Sequence, residues 1–341
     1  MIPSILPLSE KVPTFKKGLP KGSAQFAALI LVLLINNLVA DNFFSIHLQD
    51  GRLFGSLIDI LNRCAPVALL SIGMTLVIAT GGIDLSVGAI MAISGATLAS
   101  MAANYSLPVI LLTTLSVGAL CGLWNGCLVA VLKMQPIVAT LILMVAGRGI
   151  AQLITEGQII TFNNAALAWF GNGSFLFVPT PIIITILAAC LVWLLTKKTA
   201  LGLFIEAVGI NIRAARNAGV NTRLMVMLTY VLSGVCAAIA GIIVAADIRG
   251  ADANNAGLWL ELDAILAVVI GGGSLMGGRF NLLLSVVGAL IIQGMNTGIL
   301  LSGFQPELNQ VVKAVVVLCV LIVQSPRFVS IIKGIRGHDK T

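Results

Sequence analysis

The sequence predicts an all-α protein, a polytopic transmembrane bundle of about ten helices, and three observations carry that prediction. Apolar residues fill 58% of the 341 positions, whereas charged residues hold only 10%; a soluble chain carries about 25% charged residues. Mean hydropathy is +1.06, so lipid rather than water suits most of the chain. Apolar runs also recur along the whole length, at close to the roughly 20 residues that cross a hydrocarbon core.

The first run, Ala24–Ala40, follows Lys11, Lys16, Lys17 and Lys21. A basic lead of this kind resembles a cleavable secretory signal, but the run is longer than a signal core and many others follow. It is read as a retained first helix. Leu57–Ala79, Leu85–Ala103, Leu107–Leu132 and Ile137–Ile154 complete the first half. The second half supplies Phe175–Leu195, Leu224–Ala246, a short run at Leu262–Ile270, Leu282–Leu300 and Val311–Val323. Pro108, Pro136 and Pro181 fall near starts, where a missing N–H matters least. Residues 1–23 and 331–341 read as tails, and 24–330 as one transmembrane domain.

Cation placement orients the bundle. With both ends inside, the cytoplasmic face collects the N-terminal tail, Lys133, the Thr196–Arg223 loop, Arg279 and the C-terminal tail, in all 15 of the 20 Lys and Arg residues. Arg52 and Arg249 fall outside, and Arg63, Arg148 and Lys313 lie within or near helices. Reversal, or loss of one helix, scrambles this asymmetry. The net charge of +7 is therefore a membrane signature rather than a sign of nucleic-acid binding. Six cysteines lie in apolar stretches without CxxC spacing and read as small packing residues.

Gly118, Gly122 and Gly126 form a stripe that allows close helix approach. In the basic loop, the segment around Asn211 reads as a short helix. Asn211 caps its start, and Gly219 supplies a left-handed residue at its end. Arg213, Arg216 and Arg223 make it basic, which fits either a solvated loop or a docking helix. Between Ala79 and Gly88, Gly81 and Gly82 interrupt one helix and Asp84 can cap the next or line a solute path. Between Glu261 and Arg279, two acids precede a short run and a five-glycine turn. That turn reads as close backbone packing, since no GxxxxGK[ST] is present. Glu261 and Asp263 belong near the outer face, within reach of Arg249 or a partner. Asp59 and Arg63 have the spacing of a local ion pair. Asn125, Arg148, Gln152, Gln293, Asn296, Gln310 and Lys313 are candidates for a polar path or for interhelical hydrogen bonding. Neither a nucleophile set nor a metal cluster is present, so an enzyme is not expected, nor a cofactor in this chain.

Three stretches, SIGMTLVIATGGIDLSVG, AVGINIRAARNAGVN and ELDAILAVVIGGGSLMGGR, resemble signatures of the ribose-type permeases of bacterial ABC sugar importers, and NQVVKAVVVLCVLIV resembles their last helix. The matches run in order from Leu57 to Val323. The resemblance implies a permease subunit in the bacterial inner membrane that moves a monosaccharide inward. It also implies a cytoplasmic ATP-binding subunit, a second permease subunit (a related chain or a copy) and a periplasmic sugar-binding protein. Glu206–Gly219 matches the family's ATPase-contact loop, which assigns docking to Glu206, Gly209, Asn211, Arg213, Arg216 and Gly219. Asp59, Asp84, Asn125, Gln293 and Asn296 are the candidate path residues. The chain departs from the family where a Gly-Arg pair is common and it reads Gly202, Leu203, Phe204. It departs again at Ile210, a place often held by glycine. The rival expectation is an ion-coupled transporter acting alone, which needs an essential carboxylate at Asp59 or Asp84.

Overall fold

The computed structural model describes residues 22–40, 42–49, 51–303, 308, 310–315 and 318. Helix α1 (Ser23–Val39) leads to an antiparallel hairpin of β1 (His47–Gln49) and β2 (Arg52–Phe54). Four helices follow: α2 (Ser56–Ala79), α3 (Val87–Met101), α4 (Leu107–Ala130) and α5 (Pro136–Ile154). A connecting segment holds β3 (Ile160–Thr161), α6 (Ala165–Asn172), β4 (Ser174–Phe175) and β5 (Val178–Pro179). Then come α7 (Thr180–Lys198), the short pair α8 (Leu201–Ile210) and α9 (Ile212–Asn217), α10 (Thr222–Asp247), β6 (Gly250–Ala251), α11 (Leu260–Ile270) and α12 (Leu282–Leu301). Among the described residues six helices are long and apolar enough to cross a membrane: α2, α4, α5, α7, α10 and α12. The apolar helices α1 and α3 are shorter.

Helices α2, α3 and α10 form the centre. Leu69, Leu70 and Met74 of α2 pack with Ile90 and Met91 of α3, Ala237 and Ile243 of α10, and Val268 of α11. The peripheral helices instead present Leu38, Leu120, Val145, Leu153, Leu187 and Leu191 outward. Exposed aliphatic side chains on helices whose backbone bonds are internally satisfied are what a lipid-facing wall requires. Small residues set the tightest contact. A Cβ on Gly118 would lie 2.6 Å from the Gly234 oxygen, and one on Gly122 would lie 2.3 Å from the Tyr230 oxygen, so α4 and α10 meet backbone to backbone.

Short strands stitch one end of the bundle: β3 pairs with β6, and β4 with β5. Leu53 N donates to the Phe177 oxygen, and Arg52 Nη1 to the Asn172 oxygen. At the opposite end lie α8, α9 and the turns after α2, α4 and α11.

Nine of the ten expected runs are helices, and four details differ. The sixth begins at Thr180 rather than Phe175, because Ser174–Phe175 turns back on Val178–Pro179 and Pro181 starts the helix. The third begins at Val87, after a side-chain-closed turn. Helices α6 and α8 are additions to the expected set; α8 buries Gly202, Ile205 and Val208 at helical spacing. Of Val311–Val323, residues 311–315 are helical, 318 is described as helical, and the others lie outside the described residues, as do residues 1–21 and 331–341 of the tails.

Candidate functional site

The site is built where α8, α9 and two backbone turns converge. Asn211 interrupts α8 and α9 in an extended conformation, and its Oδ1 accepts from Arg213 N and Ala214 N at 3.0 Å each. That is the N-cap its residue type favours. Gly219, at φ +86°, ends the element, with Val220 N donating to the Ala215 oxygen. Asn221 then caps α10 through Leu224 N. Apart from buried Ala215, α9 is exposed, including Arg213 and Arg216. Glu206 and Gly209 are half-buried on α8.

Gly209 seats this exposed pair on the bundle. A Cβ there would lie 1.8 Å from the Ala79 oxygen and 2.5 Å from Gly278 N. Gly278 N itself donates to the Ala79 oxygen at 2.9 Å, and Gly277 lies against Gly81 N and the Gly209 oxygen. The ends of α2 and α8 and the glycine turn after α11 therefore touch through main chain. The positive φ of Gly81, Gly277 and Gly278 permits the tight reversals.

Immediately beyond this junction lies a buried polar cluster. Asp84 Oδ1 accepts from Ser86 N at 3.1 Å and Ser86 Oγ at 2.6 Å, and Oδ2 accepts from Ser233 Oγ at 3.0 Å. Asn125 Nδ2 donates to Ser86 Oγ at 2.7 Å and reaches Asp84 Oδ1 at 3.5 Å. All four residues are essentially inaccessible. A carboxylate in this setting is tolerable because donors from three segments surround it. The expected helix cap is not what forms: Ser86 is the N-cap of α3, and Asp84 closes the turn before it while tying that turn to α4 and α10. Thr140 of α5 holds the same turn by accepting from Leu85 N.

A family model described as the branched-chain amino acid transport system / permease component matches residues 56–321. The chain belongs to this permease family. The permease is 76% identical, over the whole of both chains, to the galactofuranose transporter permease protein YtfT of Escherichia coli. It is 41% identical to the fructose import permease protein FruF of Bifidobacterium longum, covering 88% of this chain and 86% of that one. To the ribose import permease protein RbsC of Escherichia coli it is 36% identical, covering 92% and 96%. No solved structure matches it.

The remaining polar residues of the permease fall into separate groups. Gln293 is buried on α12, and its Oε1 accepts from Asn296 Nδ2 at 3.4 Å. Asp59 stands apart, exposed near the start of α2. Its expected pair with Arg63 is not formed: Arg63 is also exposed and lies within electrostatic range of Asp247 instead. Arg148 donates to the Ala253 and Ala256 oxygens, and Gln152 to Asn254 Oδ1, so both hold the turn after β6. Asp263 pairs with Lys313 at 2.7 Å rather than with Arg249, and Glu261 is buried against Gly88. Five of the cysteines are free, and Cys319 lies outside the described residues.

Sequence reasoning missed Ser86, Ser233 and Thr140 as partners of the Asp84 turn. Only Ser86, two residues on, was locally legible; Ser233 is 149 positions away. It also missed Asn36, a buried amide in α1 whose Nδ2 donates to the Gly294 oxygen at 2.8 Å. Its signal was an amide inside an otherwise apolar run.

Proposed function

We propose that this permease forms the membrane path of an ATP-driven ABC importer that carries a monosaccharide of the galactofuranose type from periplasm to cytoplasm. The sugar rests on the full-length likeness to a galactofuranose permease, with fructose and ribose permeases as further relatives. The cation distribution supports an inner-membrane orientation with both termini, α8 and α9 facing the cytoplasm. A separate ATP-binding subunit hydrolyses ATP there, a periplasmic sugar-binding protein delivers the cargo, and a second permease chain, sister or copy, completes the path.

The observation that carries this reading is the seat of Gly209 against Ala79 and Gly278. A push on the exposed, basic α9 from an ATP-binding subunit has a main-chain route to the end of α2 and thence to the Asp84 turn. A route without flexible side chains transmits displacement rather than absorbing it. Burying a sugar hydroxyl without a partner costs about 2–7 kcal/mol, so a path must offer polar groups. Asp84 and Asn125 are the central candidates, since Asn125 Oδ1 is buried and makes no hydrogen bond within the protein. Gln293 and Asn296 form a second station, and Asp59 stands at the outer mouth. Of the two carboxylates an ion-coupled rival could use, Asp84 is engaged at both oxygens by Ser86 and Ser233, which argues for a positioning role, and Asp59 is exposed near the start of α2.

Reversing Arg213→Glu together with Arg216→Glu is expected to cut labelled galactofuranose uptake by about tenfold or more and to release the ATP-binding subunit on affinity purification. Undiminished uptake with the subunit still bound would overturn the docking assignment. Competition by unlabelled fructose or ribose equal to that by galactofuranose would overturn the sugar.

A further inference from the structure

We propose that the recess behind α9 is a binding site for a phosphate-bearing ligand. A cavity of about 320 Å³ opens between the turn after α2, the α4–α5 turn and the start of α10. Its walls include Lys133, Arg216 and Arg223, brought together from three segments, and no carboxylate lines it. The one ion pair among the described residues is Lys313–Asp263, so none of these three cations is neutralised by a neighbouring carboxylate. Pro136 and Thr222 at the starts of α5 and α10 also line the cavity. Each of those two helix N-termini adds roughly half a positive charge, although Pro136 has no N–H and Leu224 N of α10 is already held by Asn221.

A second observation is independent of the cations. Tyr230 lines the inner wall, is wholly buried, and its hydroxyl makes no hydrogen bond within the protein. That hydroxyl lies against Gly82, also of the wall, where a Cβ would approach it to 2.7 Å. A bulkier residue at Gly82 would cover the donor. The bias of Lys and Arg toward the cytoplasmic face accounts for basic loops. It does not require them to converge on one concavity around a buried donor. Three cations, two helix N-termini and a hydroxyl exceed what a single carboxylate would satisfy and suit the several acceptor oxygens of a phosphate. The volume lies at the low end of the roughly 300–1,000 Å³ typical of small-ligand sites, enough for a phosphate with an attached glycerol-sized group. Both an anionic phospholipid head group and a soluble phosphate ester present that chemistry. Since Arg216 belongs to α9 and Lys133 to the α4–α5 turn, occupancy would brace the docking helix against the bundle.

The test uses the full-length chain in nanodiscs of phosphatidylcholine, with or without phosphatidylglycerol. Native mass spectrometry reads retained phosphatidylglycerol, and calorimetry in the phosphatidylcholine discs reads binding of glycerol phosphate. Selective retention of phosphatidylglycerol assigns a lipid, and binding of glycerol phosphate assigns a soluble ester; either supports the site. Lys133→Gln with Arg223→Gln is expected to weaken the positive readout by about tenfold or more, and Tyr230→Phe by about threefold to tenfold. The isosteric Tyr230 variant guards against misfolding, with thermal melting as the check. Neither ligand binding to the wild type, or binding unchanged in folded variants, would overturn the proposal. So would loss of the ATP-binding subunit from the double variant with both phosphate readouts intact, because the cations would then serve a protein surface.

Discussion

At Gly209 the obstacle to any side chain is main chain on both sides, the Ala79 oxygen and Gly278 N, so no rotamer change can make room. Overpacking of this kind costs about 1–3 kcal/mol or displaces the element. Gly209→Ala is therefore expected to lower the melting temperature in detergent and to reduce uptake more than the loss of folded protein explains. Gly149 of α5, where an added methyl would find no atom within 4 Å, provides the contrast. Gly149→Ala should leave uptake intact and stabilise by about 0.5–1 kcal/mol, the usual difference within a helix. Equal effects of the two substitutions would show that seat geometry is irrelevant. The family resemblance singles out Gly209 in its loop, but the residues themselves mark both positions only as glycine. What separates them is three-dimensional: one faces the end of another helix and the other faces outward.

Among elements, α9 was legible because capping is local. Asn211 and Gly219 declare its two ends within nine residues, and the structure forms both. Helix α8 was not legible in the same way. Its sequence, apolar but for Glu206, takes a helical register from packing Ile205 and Val208 onto neighbours that are distant in the chain. The cap of α9 yields a prediction of its own. Asn211→Ala should cost about 0.5–2 kcal/mol of local helix stability. On the proposed docking role it should uncouple ATP hydrolysis by the partner subunit from uptake while expression and global melting stay near wild type. A second element-scale prediction concerns the turn after β6. Asn255 Nδ2 donates to Asp252 Oδ2 at 2.8 Å, and Asn254 N and Asn255 N donate to Oδ1. The Asn255 side chain first, then these backbone donors and the Arg148 charge, hold the Asp252 carboxyl below its ordinary range. A lowered folded value means that the stabilisation is complete above the unfolded value, about pH 3.9, and is lost as pH falls through the folded one. Wild-type melting should therefore fall more steeply below about pH 4 than that of Asn255→Ala, whose carboxyl sits nearer its ordinary value. Parallel melting curves for the two proteins across that window would refute it.

For the whole molecule, composition and the recurrence of long apolar runs made the helical bundle legible, since both report the solvent around each segment. The polar interior was not, because Asp84, Asn125 and Ser233 come together only when α4 and α10 pack on the α2–α3 turn. The same holds for Lys313 and Asp263, fifty residues apart and both largely buried. Removing one partner of a buried pair strands a charge at a cost of about 3–5 kcal/mol. Lys313→Ala should destabilise by that order in thermal melting, and Asp263→Asn with Lys313→Gln should recover most of the loss. A double variant no better than the single would show that the pair is not what joins these segments. The glycine contact between α4 and α10 has a consequence for how such a machine can run. With main chain against main chain at Gly118, Gly122 and Gly234, the joint has no clearance. Neither helix can slip a turn past the other without opening the contact, so the two turn together like parts keyed to one shaft. Asn221 caps the start of that shaft two residues after Gly219 ends α9. Play in the cycle must then arise elsewhere, and the distance between probes on α4 and α10 should stay constant from one stroke to the next.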